Sequence, residues 1–323
     1  MRSSPKRQWD VIIVGAGPAG MSAALILGRC CRQVLICDAG TPRSWAARKM
    51  HSFLTRDGID PDKFRTISRK ELSAYPNVHF RSTEVTQIRR RTDGTFQAKF
   101  QAGAAHVCRK ILLATGVLDE LPEIPGIERF YGTSVHQCPY CDGWEMKSRP
   151  IAVYGKGRRG FEIARAMTAW SSNLMLCSNG RARLSAGQRK QLSANSIKLV
   201  TAKIERLVGQ GTQLKAIRFA GGQDVRCEAL FFDTPCYPQS PLAKQLGCRI
   251  TASGGIHCGQ YAESSVPGVY AAGNILKDVQ LSIVAAADGA RAAFGVNRAL
   301  TREDFARRAQ LARQIARSGR AQV

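Results

Sequence analysis

Two glycine-rich turns of one pattern constrain what this chain can fold into. The first, at residues 15–20, reads Gly-Ala-Gly-Pro-Ala-Gly, and the second, at residues 155–160, reads Gly-Lys-Gly-Arg-Arg-Gly. Each follows a short apolar run and opens an amphipathic stretch, so each predicts a tight passage from a strand into a helix. For the first turn the strand is predicted at residues 9–14 and the helix at residues 18–29. The repeat therefore predicts an α/β chain with two related Rossmann-like, three-layer ββα domains.

The first turn has the residues that a dinucleotide requires. Gly15 allows the tight turn, Gly17 lets the backbone approach a pyrophosphate, and Gly20 lets the helix pack closely on its strand. The second strand, at residues 33–37, ends at Asp38, where a carboxylate can accept hydrogen bonds from a ribose. The predicted cofactor-binding residues here are Gly15, Gly17, Pro18, Ala19, Gly20 and Asp38. The alternative is a tight turn without a ligand.

The second turn repeats the same order of strand, glycine turn, helix and second strand at matching spacing. A strand at residues 151–154 precedes Gly155, Gly157 and Gly160, a helix is predicted at residues 159–170, and a second strand at residues 174–177. Ser178 stands at the acidic position. After each copy comes a predicted three-stranded meander, around residues 86–113 and 203–232, with Asp-Gly and Gly-Gly turn signals.

Composition and charge narrow the class of protein. A hydrophobic content of 44% is enough for two cores, and no apolar stretch is long enough to cross a membrane. Residues 1–7 lead into a strand and not into a signal peptide's apolar region, so we expect a soluble, cytoplasmic protein.

The chain carries 48 Lys and Arg against 24 Asp and Glu, a formal net charge of +24. These cations are spread along the sequence, and the densest groups, at residues 89–91 and 156–159, are short and lack aromatic neighbours, which disfavours nucleic-acid binding. An acidic partner protein, or an anionic ligand near the second turn, fits the charge better.

Cys138 and Cys141 are the candidate catalytic pair. Two cysteines separated by two residues can form a small redox-active disulfide, and Asp142 can relay a proton as the dithiol forms and breaks. The alternative is half of a zinc site, but the other cysteines and the five histidines offer no second pair with such spacing, so no metal is expected. His136 could tune a thiolate or simply pack.

We expect the nine other cysteines, among them Cys37, Cys108, Cys177 and Cys227, to be inert core thiols.

With these motifs the chain resembles the low-molecular-weight thioredoxin reductase family over nearly its whole length. The residues that carry the resemblance are the turn Gly15–Gly20, Ala114-Thr115-Gly116, the run Cys138-Pro139-Tyr140-Cys141-Asp142-Gly143, the second turn, and Val266-Pro267-Gly268-Val269-Tyr270-Ala271-Ala272-Gly273-Asn274.

The resemblance implies FAD and a domain insertion. Residues 1–117 and 245–323 would form the FAD-binding domain, and residues 118–244 an inserted pyridine-nucleotide-like domain that carries the cysteine pair. Cys141 would face the flavin, Cys138 would exchange with the substrate disulfide, and Asp142 would be the acid/base. The further flavin-binding residues implied are Ala114, Thr115, Gly116, Gly273, Asn274, Gln280, Leu281 and Ser282. A homodimer is also implied.

Three departures separate this chain from the usual pattern of the family, the first at a flavin-binding position and the other two at the second nucleotide site. Asn274 replaces the usual aspartate, residues 178–183 lack the histidine and consecutive arginines that hold a 2′-phosphate, and the second turn carries Lys156, Arg158 and Arg159. NADPH use is therefore disfavoured. The sequence looks more like a side branch that includes dithiol oxidases and the diflavin-linked disulfide oxidoreductase, in which the second site is empty or holds another flavin.

Three hypotheses follow. The leading one is an FAD enzyme that passes two electrons between a dithiol or disulfide substrate, a small protein such as a thioredoxin or a small molecule, and its flavin, with oxygen, a second FAD or an electron carrier as the other partner. The second is an NADPH-dependent thioredoxin reductase in which Arg181 and Arg183 replace the missing arginines. The third is a non-catalytic flavin-binding interaction protein.

Residues 301–323 predict a separate basic amphipathic helix, with Thr301 as N-cap and Glu303 and Asp304 in its first turn.

Overall fold

The computed structural model describes the backbone of residues 8–320 and the side chains of residues 8–315. The expectation about residues 1–7, and the end of the predicted tail helix at residues 321–323, lie outside these limits. The strands in chain order are β1 Trp9–Val14, β2 Val34–Asp38, β3 Val78–Ser82, β4 Val85–Arg90, β5 Phe96–Phe100, β6 His106–Leu113, β7 Val117–Asp119, β8 Val135–His136, β9 Ile151–Tyr154, β10 Leu174–Cys177, β11 Lys198–Val200, β12 Ile204–Gln210, β13 Gln213–Phe219, β14 Asp224–Arg226, β15 Ala229–Phe232, β16 Cys236–Pro238 and β17 Val269–Ala271. The α-helices are α1 Pro18–Arg29, α2 Pro61–Leu72, α3 Ile127–Phe130, α4 Pro139–Asp142, α5 Gly157–Met167, α6 Ala186–Ala194, α7 Leu242–Gln245 and α8 Ser282–Arg320.

The chain divides into two compact units. The first comprises the residues up to Pro42, Arg65–Val117 and the residues from Pro238, and the second comprises Arg43–Phe64 and Leu118–Tyr237. The second unit thus ends at Tyr237, whereas the resemblance implied a boundary near Gln245. It also contains Arg43–Phe64, a segment that the sequence assigned to the first domain.

The first unit is built on a sheet with the strand order β3-β2-β1-β6-β5-β4, in which β17 also pairs with β6. β1 runs parallel to β2 and β6, and β4, β5 and β6 form the predicted antiparallel meander. The central strands carry apolar runs because both faces of a parallel sheet are covered, and Ile12, Ile13 and Ile111 are fully buried. The strand β1 and the helix α1 have the predicted bounds.

The long helix α8 packs on α1 and corrects one prediction. Thr301 is not an N-cap, because α8 runs without a break from Ser282 to Arg320. The Thr301 hydroxyl accepts a hydrogen bond from Arg32, and Asp304 pairs with Arg32 at 2.6 Å. Glu303 pairs with Arg109 at 2.9 Å, so these acidic residues fasten α8 to the body of the unit instead of starting a new helix.

A close backbone approach brings α8 and α1 together. A Cβ built at Gly289 of α8 would lie 2.0 Å from the carbonyl oxygen of Ala19, so only glycine fits at this crossing. Ala292, Ala293 and Val296 of α8 are fully buried. Small residues therefore let the two helices approach each other at their N-terminal ends.

The second unit has a parallel sheet with the order β11-β10-β9-β15-β8 and a separate three-stranded antiparallel sheet of β12, β13 and β14. β9 and β10 have the predicted bounds. The apolar strand β15, Ala-Leu-Phe-Phe, is fully buried in the centre of the parallel sheet. α5 covers β9 and β10, so the second glycine turn stands where the first one stands in its own sheet.

The nine free cysteines range from buried to exposed, and among them Cys248 is buried and Cys236 and Cys258 are half-buried. Cys37, Cys108, Cys177 and Cys227 are buried as predicted, and burial raises the pKa of Cys37 and of Cys177 to about 12, which keeps them as inert thiols. Cys30 and Cys31 are exposed at the end of α1, so the expectation of core thiols is wrong for these two. Within residues 8–320, no helix is long and apolar enough to cross a membrane.

Candidate active site

The first glycine turn leaves one open backbone face. A Cβ at Gly15, where φ is +106°, would lie 2.3 Å from the carbonyl oxygen of Ala114, and a Cβ at Gly20 would lie 1.9 Å from that of Gly15. Both glycines are therefore required by packing. A Cβ at Gly17 would meet nothing within 4 Å. Gly17 is the N-cap of α1 and has no side-chain cap, so the helix N-terminus faces this open space.

The other predicted cofactor residues of the first unit gather at the same end of the sheet. Gly273 follows β17, and a Cβ there would lie 2.9 Å from that of Ala19 in α1. The Oδ1 atom of Asn274 is buried and has no hydrogen-bond partner. Two further groups of predicted residues follow β6 and begin α8, namely Ala114, Thr115 and Gly116, and Gln280, Leu281 and Ser282.

Asp38 ends β2 as predicted, and its carboxylate already has protein partners. Oδ2 lies 3.0 Å from Nη2 of Arg69, and Oδ1 accepts a hydrogen bond from the amide of Gly40 at 3.4 Å. A carboxylate has about four acceptor positions, so it can still accept a ribose hydroxyl.

These features fit a dinucleotide such as FAD. A buried amide oxygen without a partner is costly, so a donor from a ligand would satisfy Asn274. The open face at Gly17 fits a pyrophosphate at a helix N-terminus. The residues that would hold the group are Gly15, Gly17, Pro18, Ala19, Gly20, Asp38, Ala114, Thr115, Gly116, Gly273, Asn274, Gln280, Leu281 and Ser282.

In the second unit, Cys138 and Cys141 are joined by a disulfide. Cys138 is the N-cap of α4, and its Sγ accepts a hydrogen bond from the amide of Cys141 at 3.1 Å. Pro139 occupies the first helical position, which suits its fixed φ. Both cysteines are half-buried, and Tyr140 between them is 68% exposed. The pair is therefore held in a short helical turn at an accessible surface.

Asp142 and His136 form a pair beside the disulfide. The Nδ1 atom of His136 lies 3.3 Å from Oδ1 of Asp142. The imidazole is buried and packs on the ring of Phe231 at 5.3 Å, and its Nε2 atom is buried without a partner. The packing interpretation of His136 is confirmed, and the ring also contacts the predicted acid/base; its influence on a thiolate stays a prediction.

Residues of the segment Arg43–Phe64 contact the chain around the cysteine pair, and the sequence did not predict these contacts. Arg43 pairs with Asp119 at 2.6 Å and donates to the side chain of Gln137, the residue before Cys138. The Ser52 hydroxyl donates to the carbonyl oxygen of Tyr140, and His51 lies beside Glu145. No local pattern in the sequence indicates these contacts, because the partners are far apart along the chain.

The second glycine turn is closed by its own chain. The amide of Gly157 donates to the carbonyl oxygen of Ala182 at 2.8 Å, and Ala182 is buried. A Cβ at Gly157 would lie 3.5 Å from the carbonyl oxygen of Arg183, whereas the matching Gly17 faces open space. The position where a pyrophosphate would meet the helix N-terminus is therefore occupied by residues 182–183.

The loop that closes this turn is well bonded. Ser178, at the position of the ribose-binding acid, donates its hydroxyl to the carbonyl oxygen of Gly180 at 2.6 Å. The side chain of Asn179 accepts from the amide of Ile204, and the amide of Gly180 donates to Thr201. The cations predicted at the second site, Lys156, Arg158, Arg159, Arg181 and Arg183, are all exposed.

A dinucleotide cradle in one unit and a CxxC disulfide in the other define a flavin-dependent disulfide oxidoreductase, and comparison with known proteins agrees. Residues 9–289 match the model of the pyridine nucleotide-disulphide oxidoreductase family. A probable thioredoxin reductase of Arthroderma benhamiae is 30% identical over 308 residues, which cover 85% of this chain and 76% of that protein.

Solved structures agree in fold. A putative thioredoxin reductase, TrxB, of Bacillus anthracis superposes with a TM-score of 0.87 at 32% identity and covers 91% of this chain and 99% of its own. The protein HlmI superposes with a TM-score of 0.92 at 32% identity, and the match covers 96% of this chain and 98% of HlmI. This chain belongs to the pyridine nucleotide-disulphide oxidoreductase family and is thioredoxin reductase-like within it. The predicted fold class, resemblance and enzyme class are confirmed.

Proposed function

We propose that this chain passes two electrons between a dithiol or disulfide substrate and bound FAD through Cys138 and Cys141, and that it does not use NADPH. The observation that carries the second part is the hydrogen bond from the Gly157 amide to the Ala182 carbonyl oxygen. A nicotinamide dinucleotide would need that amide and the space beside it for its pyrophosphate.

The exchange steps follow from the disulfide. In the oxidising direction, a substrate thiolate attacks Sγ of Cys138, the Cys138–Cys141 bond breaks, and Cys141 leaves as a thiolate. The second substrate thiolate then attacks the substrate sulfur of the mixed disulfide and releases Cys138. The products are a substrate disulfide and a reduced cysteine pair, which together account for two electrons and two protons. In the reducing direction Cys138 attacks the substrate disulfide and Cys141 resolves the mixed disulfide.

Asp142 and His136 would manage the protons of this exchange. Asp142 directly follows Cys141 and lies 3.3 Å from Nδ1 of His136, so the two side chains can share a proton. The burial of His136 keeps this pair fixed in orientation. We assign Asp142 as the acid/base and His136 as the group that orients it.

The cradle of the first unit would hold FAD by the residues named above. When bound, FAD supplies the two-electron redox partner of the cysteine pair. The loop at residues 178–183 also disfavours a second FAD at the second turn, because that group would need the same amide. Oxygen or a separate electron carrier is then the remaining partner. We further propose a cytoplasmic homodimer that acts on a thioredoxin-like protein or on a small dithiol.

The alternative is an NADPH-dependent thioredoxin reductase. Several relatives are named thioredoxin reductases, which favours it, and the exposed Arg181 and Arg183 provide cations near the second turn. A non-catalytic flavin-binding protein is a third reading, which the disulfide and the His136–Asp142 pair disfavour.

Anaerobic mixing of the purified flavoprotein with NADPH, and separately with dithiothreitol, tests the proposal. The flavin's visible absorption band should persist with NADPH and bleach with the dithiol. Rapid bleaching by NADPH would contradict the proposal and favour the thioredoxin reductase. A variant with serine at both Cys138 and Cys141 is the control, and it should respond to neither reagent.

A further inference from the structure

We propose that the segment Arg43–Phe64, which we name the strap, positions the Cys138–Cys141 turn for exchange, and that His51 is the principal positioning residue. This inference rests on the proposed role of the cysteine pair. The strap follows β2 and ends with the first turn of α2, and it packs within the second unit although the chain on either side of it belongs to the first.

The strap is an ordered element with its own bonds. Met50 and Ile59 form an antiparallel bridge, and the amide of Gly58 donates to the carbonyl oxygen of Met50 at 2.9 Å. The carboxylate of Asp57 accepts from the amide of Ser52 at 2.7 Å. These bonds close a compact loop, so the side chains that it presents are held in defined positions.

Three contacts join the strap to both sides of the cysteine turn. Arg43 donates to the side chain of Gln137 at 3.0 Å, immediately before Cys138. The Ser52 hydroxyl donates to the carbonyl oxygen of Tyr140 at 3.1 Å, inside the turn. His51 Nε2 lies 3.4 Å from Oε1 of Glu145, just after the turn. The strap thus contacts the segment before, within and after the disulfide.

The turn needs this external support because it is short. α4 has four residues, Pro139–Asp142, and an isolated helix of that length is not stable in water. The carbonyl groups at its C-terminal end lack partners within the helix. Ser52 supplies one for Tyr140, so the strap replaces hydrogen bonds that a longer helix would make itself.

His51 contributes most because it contacts Oε1 of Glu145, a carboxylate whose other oxygen has no protein partner. The imidazole is 13% exposed and lies between Glu145 and Asp57, whose Oδ1 is 3.5 Å from Nδ1. The second oxygen of Glu145, Oε2, is buried without a partner. Glu145 therefore depends on His51, and loss of the imidazole would leave a poorly solvated carboxylate that must move away. The end of the cysteine turn would move with it.

Misplacing a reacting group by about 1 Å can slow a reaction on the order of 100-fold. We expect His51→Ala to slow reduction of the disulfide by dithiothreitol at least 10-fold. Glu145→Ala should slow it similarly, and the double variant should be no slower than either single variant, because both substitutions remove the same contact. His51→Gln, which keeps a hydrogen-bonding side chain, should recover part of the rate.

The rate can be followed in the flavin-loaded protein by thiol trapping and mass spectrometry. Trypsin releases residues 130–147, a peptide that contains Cys138 and Cys141 and no other cysteine. The equilibrium between this disulfide and a dithiothreitol redox buffer gives its reduction potential in the same experiment. His257→Ala is the matched control, because His257 belongs to the first unit and pairs with Arg249.

The outcomes separate the two proposals. If the parent disulfide does not exchange with dithiothreitol, the proposed function is wrong. If it exchanges and His51→Ala stays within twofold of the parent in rate and in equilibrium constant, only the strap proposal is overturned. Should His51→Ala fail to fold, Ser52→Ala removes another contact at an exposed residue, and we expect at least a threefold slower exchange. An unchanged rate in that variant would equally overturn the proposal.

Discussion

Gly17→Ala should separate cofactor binding from folding. A Cβ at this position would touch no protein atom within 4 Å, and the backbone φ of −76° suits alanine. The new methyl group would project into the open face at the N-terminus of α1, where we expect the pyrophosphate of FAD. The variant should therefore fold normally and bind FAD weakly.

The magnitudes follow from the geometry. Replacing glycine by alanine at a compatible φ stabilises a protein by about 0.4–1 kcal/mol. Alanine is a poorer N-cap than glycine, which costs a similar amount, so the apoprotein should change by less than about 1 kcal/mol. A hydrogen bond to a charged phosphate contributes about 1.5–3 kcal/mol, and its loss would weaken FAD binding roughly 10- to 100-fold.

Quenching of FAD fluorescence on titration into apoprotein measures the affinity, and thermal unfolding of the apoprotein measures the fold. Gly157→Ala is the matched control in the second turn. Its φ of +58° makes alanine strained by about 1 kcal/mol, yet its FAD affinity should equal that of the parent. FAD affinity within twofold of the parent in Gly17→Ala would refute the reasoning.

Four other variants test further parts of the structure. Cys138→Ser should stop exchange with dithiothreitol while FAD stays bound, and FAD loss would contradict the assignment. In Cys141→Ser, the Cys138 thiolate should attack oxidised glutathione, release one glutathione thiolate and accumulate as a mixed disulfide visible by mass spectrometry; turnover in this variant would contradict the assignment. Burial raises the pKa of Glu303, but hydrogen bonds from Lys110 and Arg109 outweigh it and hold that pKa below its ordinary 4.5. The stability that these hydrogen bonds contribute is present above about pH 5 and is lost as the pH falls through the folded-state pKa. Glu303→Gln should therefore flatten the decline of melting temperature with acid. An unchanged decline would argue against a stabilising role for these contacts. Gly289→Ala should lower unfolding free energy by about 1–3 kcal/mol in denaturant titrations, because its methyl group has no room against α1, and a smaller loss would mean that the helices can separate freely.

The sequence was most informative where local pattern and packing coincide. The first turn predicted β1 and α1 with their observed bounds, because Gly15 and Gly20 are required by backbone contacts that recur wherever this turn is built. The residues of the first cradle come together because they follow the carboxyl ends of neighbouring parallel strands.

The sequence was least informative where long-range contacts decide. The separate helix at Thr301 was wrong because its acidic residues pair with Arg32 and Arg109, more than 190 positions earlier. The strap was missed for the same reason, since His51 and Glu145 share no local pattern. The exposure of Cys30 and Cys31 depends on where α1 ends on the surface, which composition does not reveal.

The bond between the Gly157 amide and the Ala182 carbonyl group has a consequence for how this protein could change over evolution. Both atoms belong to the main chain, so replacing a side chain at either residue leaves the donor and the acceptor in place, except where proline removes the amide hydrogen. On the proposed function, building a nicotinamide site at this turn would require a deletion or a rebuilt path for residues 178–183. Point mutation alone gives little access to that change, so we expect a lineage with this loop to keep an electron partner other than NADPH.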